Sequence, residues 1–199
     1  MKVIFYIHSI SLIPLENDYL FKKWRINSIL FDNFMTYDYN SIIQSNLSDN
    51  KILLIGRGKN KLKRFNLGIQ AIEYIKNEIS EIKLFIISSI NNTEFLKNYI
   101  DNLNLGFNIF FANYNSDPSI YFRTPRLNYL TSISECYPLT LAETKVYGIP
   151  TIILGLNYVS MSKKGTIIIY DDYPETLAKI SINILNNKKT YISIKIIKI

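Results

Sequence analysis

The sequence is poor in the residues that build metal and redox centres: of 199 residues, one is cysteine (Cys136) and one is histidine (His8). A lone cysteine excludes an internal disulfide and favours a reducing, intracellular setting, in which the sequons at Asn46 and Asn91 carry no meaning. No zinc-ligand spacing and no arginine-rich arm accompany the net charge of +7, so a nucleic-acid partner is not expected. The lysines are scattered among Ile, Asn and Tyr, a mix that also reads as a compositional habit of the source genome. No run reaches the roughly 18 uninterrupted apolar residues of a membrane helix. The apolar opening, residues 1–15, is broken by His8, Ser9 and Ser11 and lacks a small-residue cleavage site. It is therefore read as a buried strand, with His8 packed rather than catalytic, and the chain is expected to be soluble. No internal repeat is found.

What is present is a hydrophobic content of 48%, enough at this length for one good core and a small appendage. Short apolar runs alternate with segments of helical period, which points to an α/β fold: a doubly wound parallel sheet covered by helices on both faces. The expected strands are residues 3–7, 28–31, 51–55, 82–87, 109–111, 127–130, 151–154 and 166–170. Most are continuous Ile, Leu and Phe rather than alternating, as strands buried on both faces should be. Helical stripes are Leu67, Ala71, Ile72, Ile75 and Ile79; Phe95, Leu96, Tyr99 and Leu103; and Leu177, Ile180, Ile184 and Leu185. Pro138 before residues 139–147, with Gly148 and Pro150 after them, brackets a fourth helix. The expected organisation is a connector at 1–35, a polar linker at 36–50, the α/β domain at 51–187 and an atypical tail at 188–199 whose residues 190–199 alternate like a strand.

Two constellations carry chemistry. Gly56-Arg57-Gly58 follows an expected strand and precedes Lys63-Arg64-Phe65 at a helix start. Loops at the carboxyl ends of parallel strands bind ligands in doubly wound sheets. Arg57 could grip a diphosphate with a forked hydrogen bond and Lys63 as a point charge. Taken alone, Lys59, Lys61, Lys63 and Arg64 also read as a solvated loop. The second constellation is Ser134 through Glu143, with Glu135 in the loop before the Pro138 helix and Glu143 inside it. The first amides of that helix, at Leu139 and Thr140, form an anion site, and Glu143 could accept hydrogen bonds from two neighbouring hydroxyls such as those of a ribose. By spacing alone, two glutamates at this distance also suit a surface helix.

In this order the segments resemble glycosyltransferase family 4, the large retaining family of the GT-B fold. The resemblance runs through Ile55-Gly56-Arg57, Lys63 to Leu67, residues 83–87, 111–117 and 132–150 with the E-x7-E pattern and Gly148-Ile149-Pro150, and on to the helix at 174–185. It implies a Rossmann-like domain, the C-terminal half of a GT-B fold, that binds a nucleotide-diphosphate sugar and transfers the sugar, as a hexosyltransferase, to an acceptor the sequence does not name. By position, it assigns Arg57 and Lys63 to the diphosphate, where they stabilise charge as the glycosidic bond breaks. It places Glu143 on the ribose, Glu135 beside the donor sugar, Leu139 and Thr140 amides at the phosphates, and Asn113 and Tyr114 beside the base. No metal and no cofactor are expected, because Arg and Lys neutralise the leaving group. Asp171-Asp172 is accordingly read as a turn and cap before the helix at Pro174.

The sequence also departs from the family. The N-terminal domain and its acceptor cleft have no counterpart, and residues 18–33 look like the connector between the two domains. Asn113 stands where many members carry glycine, and residues 156–164 replace a glycine-rich turn. The β-branched tail does not suit the family's closing helix. A truncated or frameshifted gene would account for both ends, with a missing domain or partner chain completing the site. A cytoplasmic chain is expected, with a charge compatible with peripheral association at a membrane.

Overall fold

The computed structural model describes residues 9–11, 22–23, 28–30, 49–56, 61–88, 94–113, 118–133, 135, 138–154, 166–169, 171–187 and 195–197. The strand expected at 3–7 and His8 lie outside them. Strand β1 (Ser9–Ser11) pairs in parallel with β2 (Ser28–Leu30), Ser9 opposite Ser28, as a small separate sheet. Of the linker, only Asp49 and Asn50 are described, and both already belong to β3.

Among the described residues the main sheet has seven parallel strands: β3 (Asp49–Ile55), β4 (Lys83–Ile87), β5 (Ile109–Ala112), β6 (Pro125–Leu130), β7 (Thr151–Leu154), β8 (Thr166–Ile169) and β9 (Lys195–Ile197). Their spatial order is β5-β4-β3-β6-β7-β8-β9. From β5 to β8 this is the doubly wound order, and it reverses direction between β3 and β6. The strand-like tail adds β9 beside β8, with Lys195 opposite Ile167. Every residue of β7 and β8 is buried, which explains their unbroken runs of Ile and Leu.

Alternation within β3 divides the core. Ile52 and Leu54 join the larger cluster, and Leu53 joins the smaller one with Ile87, Phe122, Tyr147 and Ile149. Among the described residues, four helices cover the sheet: α1 (Phe65–Ile75), α2 (Glu94–Asn102), α3 (Leu139–Val146) and α4 (Pro174–Asn186). On α1 the expected Ala71, Ile72 and Ile75 are buried and Leu67 packs partly, as does Ile79 just past the helix, while Phe65, Gly68 and Ile69 complete the face. Each large aliphatic side chain buried there contributes roughly 1.5–3 kcal/mol. Of the stripe expected at α2, Leu96 is buried and Tyr99 and Leu103 pack partly against the core, whereas Phe95 is exposed and Ile100 is buried in its stead. At 3.6 residues per turn, Leu96 and Ile100 share a face and Phe95 lies off it. On α4, Leu177, Ile184 and Leu185 are buried as expected, joined by Ala178 and Ser181.

The Pro and Gly brackets hold α3 as expected. Pro138 is its N-cap, and Gly148, at φ 71°, supplies the left-handed residue that lets Ile149 N reach Thr144 O at 2.8 Å. Thr144 Oγ1 lies 2.8 Å from Thr151 Oγ1, tying the buried face of α3 to β7. At α4 the expected cap is corrected. Tyr173 is the N-cap, Asp171 Oδ1 accepts the Tyr173 amide at 3.2 Å in a turn, and neither aspartate caps the helix. Among the described residues, no helix is long and apolar enough to cross a membrane.

Candidate functional site

The reversal between β3 and β6 leaves their carboxyl-end loops side by side, where an open α/β sheet has its natural crevice. After β3, the Gly56 amide donates to Ile87 O at 3.1 Å. A Cβ on Gly56 would lie 3.3 Å from the Phe65 ring and 3.4 Å from Lys63 Cδ, a tight fit in which the Phe65 ring would have to give by a few tenths of an ångström. A single 3-10 turn, Lys61–Lys63, leads through Arg64 into α1.

Three hydrogen bonds lace this segment to the loop after β6. Ile133 N donates to Leu62 O at 2.8 Å, Thr131 Oγ1 to Lys63 O at 2.6 Å, and Arg64 Nε to Thr131 O at 2.8 Å. The lacing brings together two of the expected site residues: Lys63 Nζ forms an ion pair with Glu135 Oε1, across 72 positions of sequence. Ser132 Oγ donates to the same carboxylate oxygen at 2.8 Å. With 20% and 17% of their side chains exposed, Lys63 and Glu135 are reachable from solvent yet held by protein.

Arg64 is not the solvated loop cation that composition allows. Its side chain is 15% exposed, and its guanidinium joins the Thr131 carbonyl to Asp172, with Nη1 at 2.7 Å from Oδ2. Its backbone is left-handed, at φ 45° and ψ 47°. That conformation costs about 1–2 kcal/mol for a residue with a Cβ, and hydrogen bonds to charged groups, at about 1.5–3 kcal/mol each, can offset it.

The second expected glutamate lies on α3. Leu141 and Thr144 take the buried face of that helix, while Leu139, Thr140 and Glu143, spaced i, i+1 and i+4, lie along a more exposed side. Burial raises the Glu143 carboxyl above its ordinary value of 4.5. Ionised Glu143 therefore gains from any hydroxyl donors brought to it. Asn113 follows β5 at the same edge of the sheet, exposed, and its carbonyl accepts the Tyr121 hydroxyl.

The structure thus joins Lys63 to Glu135, aligns Leu139, Thr140 and Glu143 on one helix, and puts Asn113 on the same edge of the sheet. Arg57, Tyr114, Cys136 and residues 156–164 lie outside the described residues. Sequence reasoning missed the parts played by Thr131, Ser132, Arg64 and Asp172. Arg64 was adjacent to a chosen residue, but nothing in the linear order connects it to Asp172. Among the described residues, no group of three or more His, Cys, Asp or Glu could hold a metal ion.

Comparison with solved structures returns the same fold. TarM of S. aureus, in a complex with fondaparinux, alpha-GlcNAc-glycerol and UDP, superposes with a TM-score of 0.77 at 19% identity, over 89% of this chain and 36% of that one. A glycosyltransferase from Rickettsia africae gives 0.74 at 16% identity, over 89% and 53%. The pneumococcal O-GlcNAc transferase GtfA, complexed with UDP and GlcNAc, gives 0.66 at 17% identity, over 89% and 37%. The chain therefore spans between about a third and about half of the length of these proteins. At such identities they show the fold alone, a Rossmann-like α/β fold matching that of GT-B glycosyltransferases. Among curated protein sequences, none matches. Residues 38–195 match the protein-family model for glycosyl transferases group 1, and since that is well over half of its length, the chain belongs to the glycosyl transferases group 1 family.

Proposed function

We propose that this chain is the donor-binding domain of a retaining glycosyltransferase of family 4 and holds a uridine-diphosphate sugar along the carboxyl edge of its main sheet. The observation that carries this reading is the meeting of Lys63 and Glu135 at the sheet's switch point, beside a loop that leads into α3. Uridine is the first base to test, because solved structures of similar fold hold UDP.

In this reading Lys63 and Arg57 hold the diphosphate, the Leu139 and Thr140 amides contact its oxygens, Glu143 accepts the ribose hydroxyls, and Asn113 and Tyr114 flank the base. As the bond from the anomeric carbon to the diphosphate breaks, negative charge grows on the leaving oxygens, and preorganised cations stabilise it most at that moment. Glu135, pinned by Lys63 and Ser132, would contact the donor sugar's hydroxyls or its oxocarbenium character. Lys63 and Arg57 take the neutralising role a metal ion would have, so donor binding should survive chelators. Transfer further requires an acceptor positioned across a cleft, and loss of such positioning can forfeit ~7 kcal/mol or more of barrier reduction. A partner chain or a further domain would supply that surface. Its absence would leave a nucleotide-sugar-binding module.

Calorimetric titration with UDP, GDP and ADP and their sugar conjugates, in EDTA, tests the reading. Wild-type binding that Glu143→Ala and Arg57→Ala each weaken by tenfold or more, about 1.4 kcal/mol, is the expected result. A folded chain that binds none of them would overturn it. Donor hydrolysis by the purified chain would separate an enzyme from a module, and NMR of the first anomer released would report retention or inversion.

A further inference from the structure

Lys63 can serve a diphosphate only if the turn that carries it holds still, and the structure shows what holds it. Arg64, the next residue, takes a left-handed backbone, φ 45°, where glycine is the ordinary occupant. Its carbonyl accepts the Leu67 amide at 3.1 Å, starting α1. Its side chain turns back to the sheet edge, donating from Nε to Thr131 O at 2.8 Å and pairing through Nη1 with Asp172 Oδ2 at 2.7 Å. One side chain therefore spans the loops that follow β3, β6 and β8. The planar fork matters, since a carbonyl and a carboxylate are bound at once by different nitrogens, which an ammonium on a flexible stem cannot reproduce with fixed direction. Thr131 is the pivot: its carbonyl receives Arg64, and its hydroxyl donates to Lys63 O at 2.6 Å.

We propose that Arg64 is a positioning residue for the donor diphosphate: anchored on Thr131 and Asp172, it fixes the turn that delivers the Lys63 amine to Glu135 and to the phosphates. This rests on the donor-binding reading above and deepens it, because it makes the β8–α4 turn, remote in sequence, part of the phosphate machinery. Arg64 acts through Lys63, so its loss should misplace an amine that is still present.

Two measurements on the full chain test it. The first needs no nucleotide: the rate at which a limiting dose of an amine-acylating reagent labels Lys63, followed by peptide mass spectrometry with exposed Lys97 as internal reference. Glu135→Gln sets the rate for an unpaired amine. Arg64→Gly, which suits the left-handed backbone, and Asp172→Asn, at a side chain 61% exposed, should each raise Lys63 labelling severalfold toward that rate. The second is the ratio of UDP to uridine affinity, which isolates the phosphates. It should fall by about tenfold in Arg64→Gly with uridine affinity unchanged, and Arg64→Gly should add nothing in a Lys63→Ala background. Lys63 labelling that stays at the wild-type rate in both variants, or losses that add in the double variant, would overturn the proposal and leave Arg64 a structural residue. Raised labelling in a protein that binds no UDP would sustain the positioning of Lys63 and overturn the donor reading instead. Asp172→Asn carries the test alone if Arg64→Gly does not fold.

Discussion

The two edges of the main sheet are both charged, yet they hold charge in different ways. At the amino edge, Asp49, Asn50, Lys51, Glu81 and Lys83 line an open hollow of about 520 Å3. Lys51 pairs with Asp49 of its own strand at 2.6 Å, reaches the Thr124 hydroxyl at 3.1 Å and lies over the Phe85 ring, while Lys83 lies over the Phe110 ring. These are long side chains resting on whatever is near. At the carboxyl edge, loops from distant parts of the sequence are laced through backbone groups, by Ile133 N on Leu62 O, Thr131 Oγ1 on Lys63 O and Arg64 Nε on Thr131 O, and the Lys63–Glu135 pair sits beside that lacing. Under the donor-binding reading, what sets the carboxyl edge apart is the ordering of the loops beneath its charges, because ordered groups face a ligand without a further entropic cost.

The largest expected effect follows from this contrast. Lys63→Ala should weaken UDP binding by tenfold or more, since a hydrogen bond to a charged group contributes about 1.5–3 kcal/mol, and Lys83→Ala should leave it within twofold. Calorimetry on both variants at one salt concentration decides. Equal losses from the two would mean that the ligand responds to overall charge and that the edges do not differ.

The sequence discloses these regions unequally. Strands β3 to β8 and all four helices are legible because parallel strands buried on both faces leave unbroken Ile and Leu runs, and because Pro138, Gly148 and Pro174 punctuate the chain where backbone geometry demands it. The exchange of Phe95 for Ile100 on α2 is not legible, because both are apolar in the linear pattern and only docking selects which one is buried. At the candidate site, Lys63, Glu135 and Glu143 stand out in the sequence by their places beside strands and a helix start. The Arg64–Asp172 pair is not, since it joins positions whose proximity exists only after the strand order is set. The same holds for Ser132, a common residue that becomes informative through its 2.8 Å bond to Glu135.

A smaller effect should come from pH, acting on Glu143. Burial raises its carboxyl above 4.5 in the folded, ligand-free chain, so the fold binds this proton more tightly than the unfolded chain does. The stability that proton contributes is fully present below 4.5 and is lost as pH rises through the raised value. Glu143→Gln should therefore increase the melting temperature at pH 7, and the advantage should vanish below pH 4.5. Ribose hydroxyls donate to the ionised form, so binding has the opposite dependence. Affinity for uridine, which brings no titrating phosphate, should fall severalfold as pH drops through that window, and Glu143→Gln should bind weakly with no such slope. A slope that persists in Glu143→Gln would place the titrating group elsewhere.

The smallest effect belongs to the amino edge and tests the comparison most directly. The Lys51–Asp49 pair is partly exposed, and pairs of that kind contribute about 0–1 kcal/mol. Lys51→Ala should accordingly change stability by less than about 1 kcal/mol in chemical denaturation. Its influence on a ligand at the carboxyl edge must travel the length of β3, and at about 3.3 Å per residue the strand puts roughly 16 Å between Lys51 and Gly56. The screening length is about 8 Å at 0.15 M salt and about 30 Å at 0.01 M. UDP affinity should therefore be unchanged by Lys51→Ala at 0.15 M and drop slightly at 0.01 M, where the net charge of +7 begins to act at range. A tenfold loss at 0.15 M would instead mean that the diphosphate reaches the amino edge, and the carboxyl edge would lose its claim to be the site.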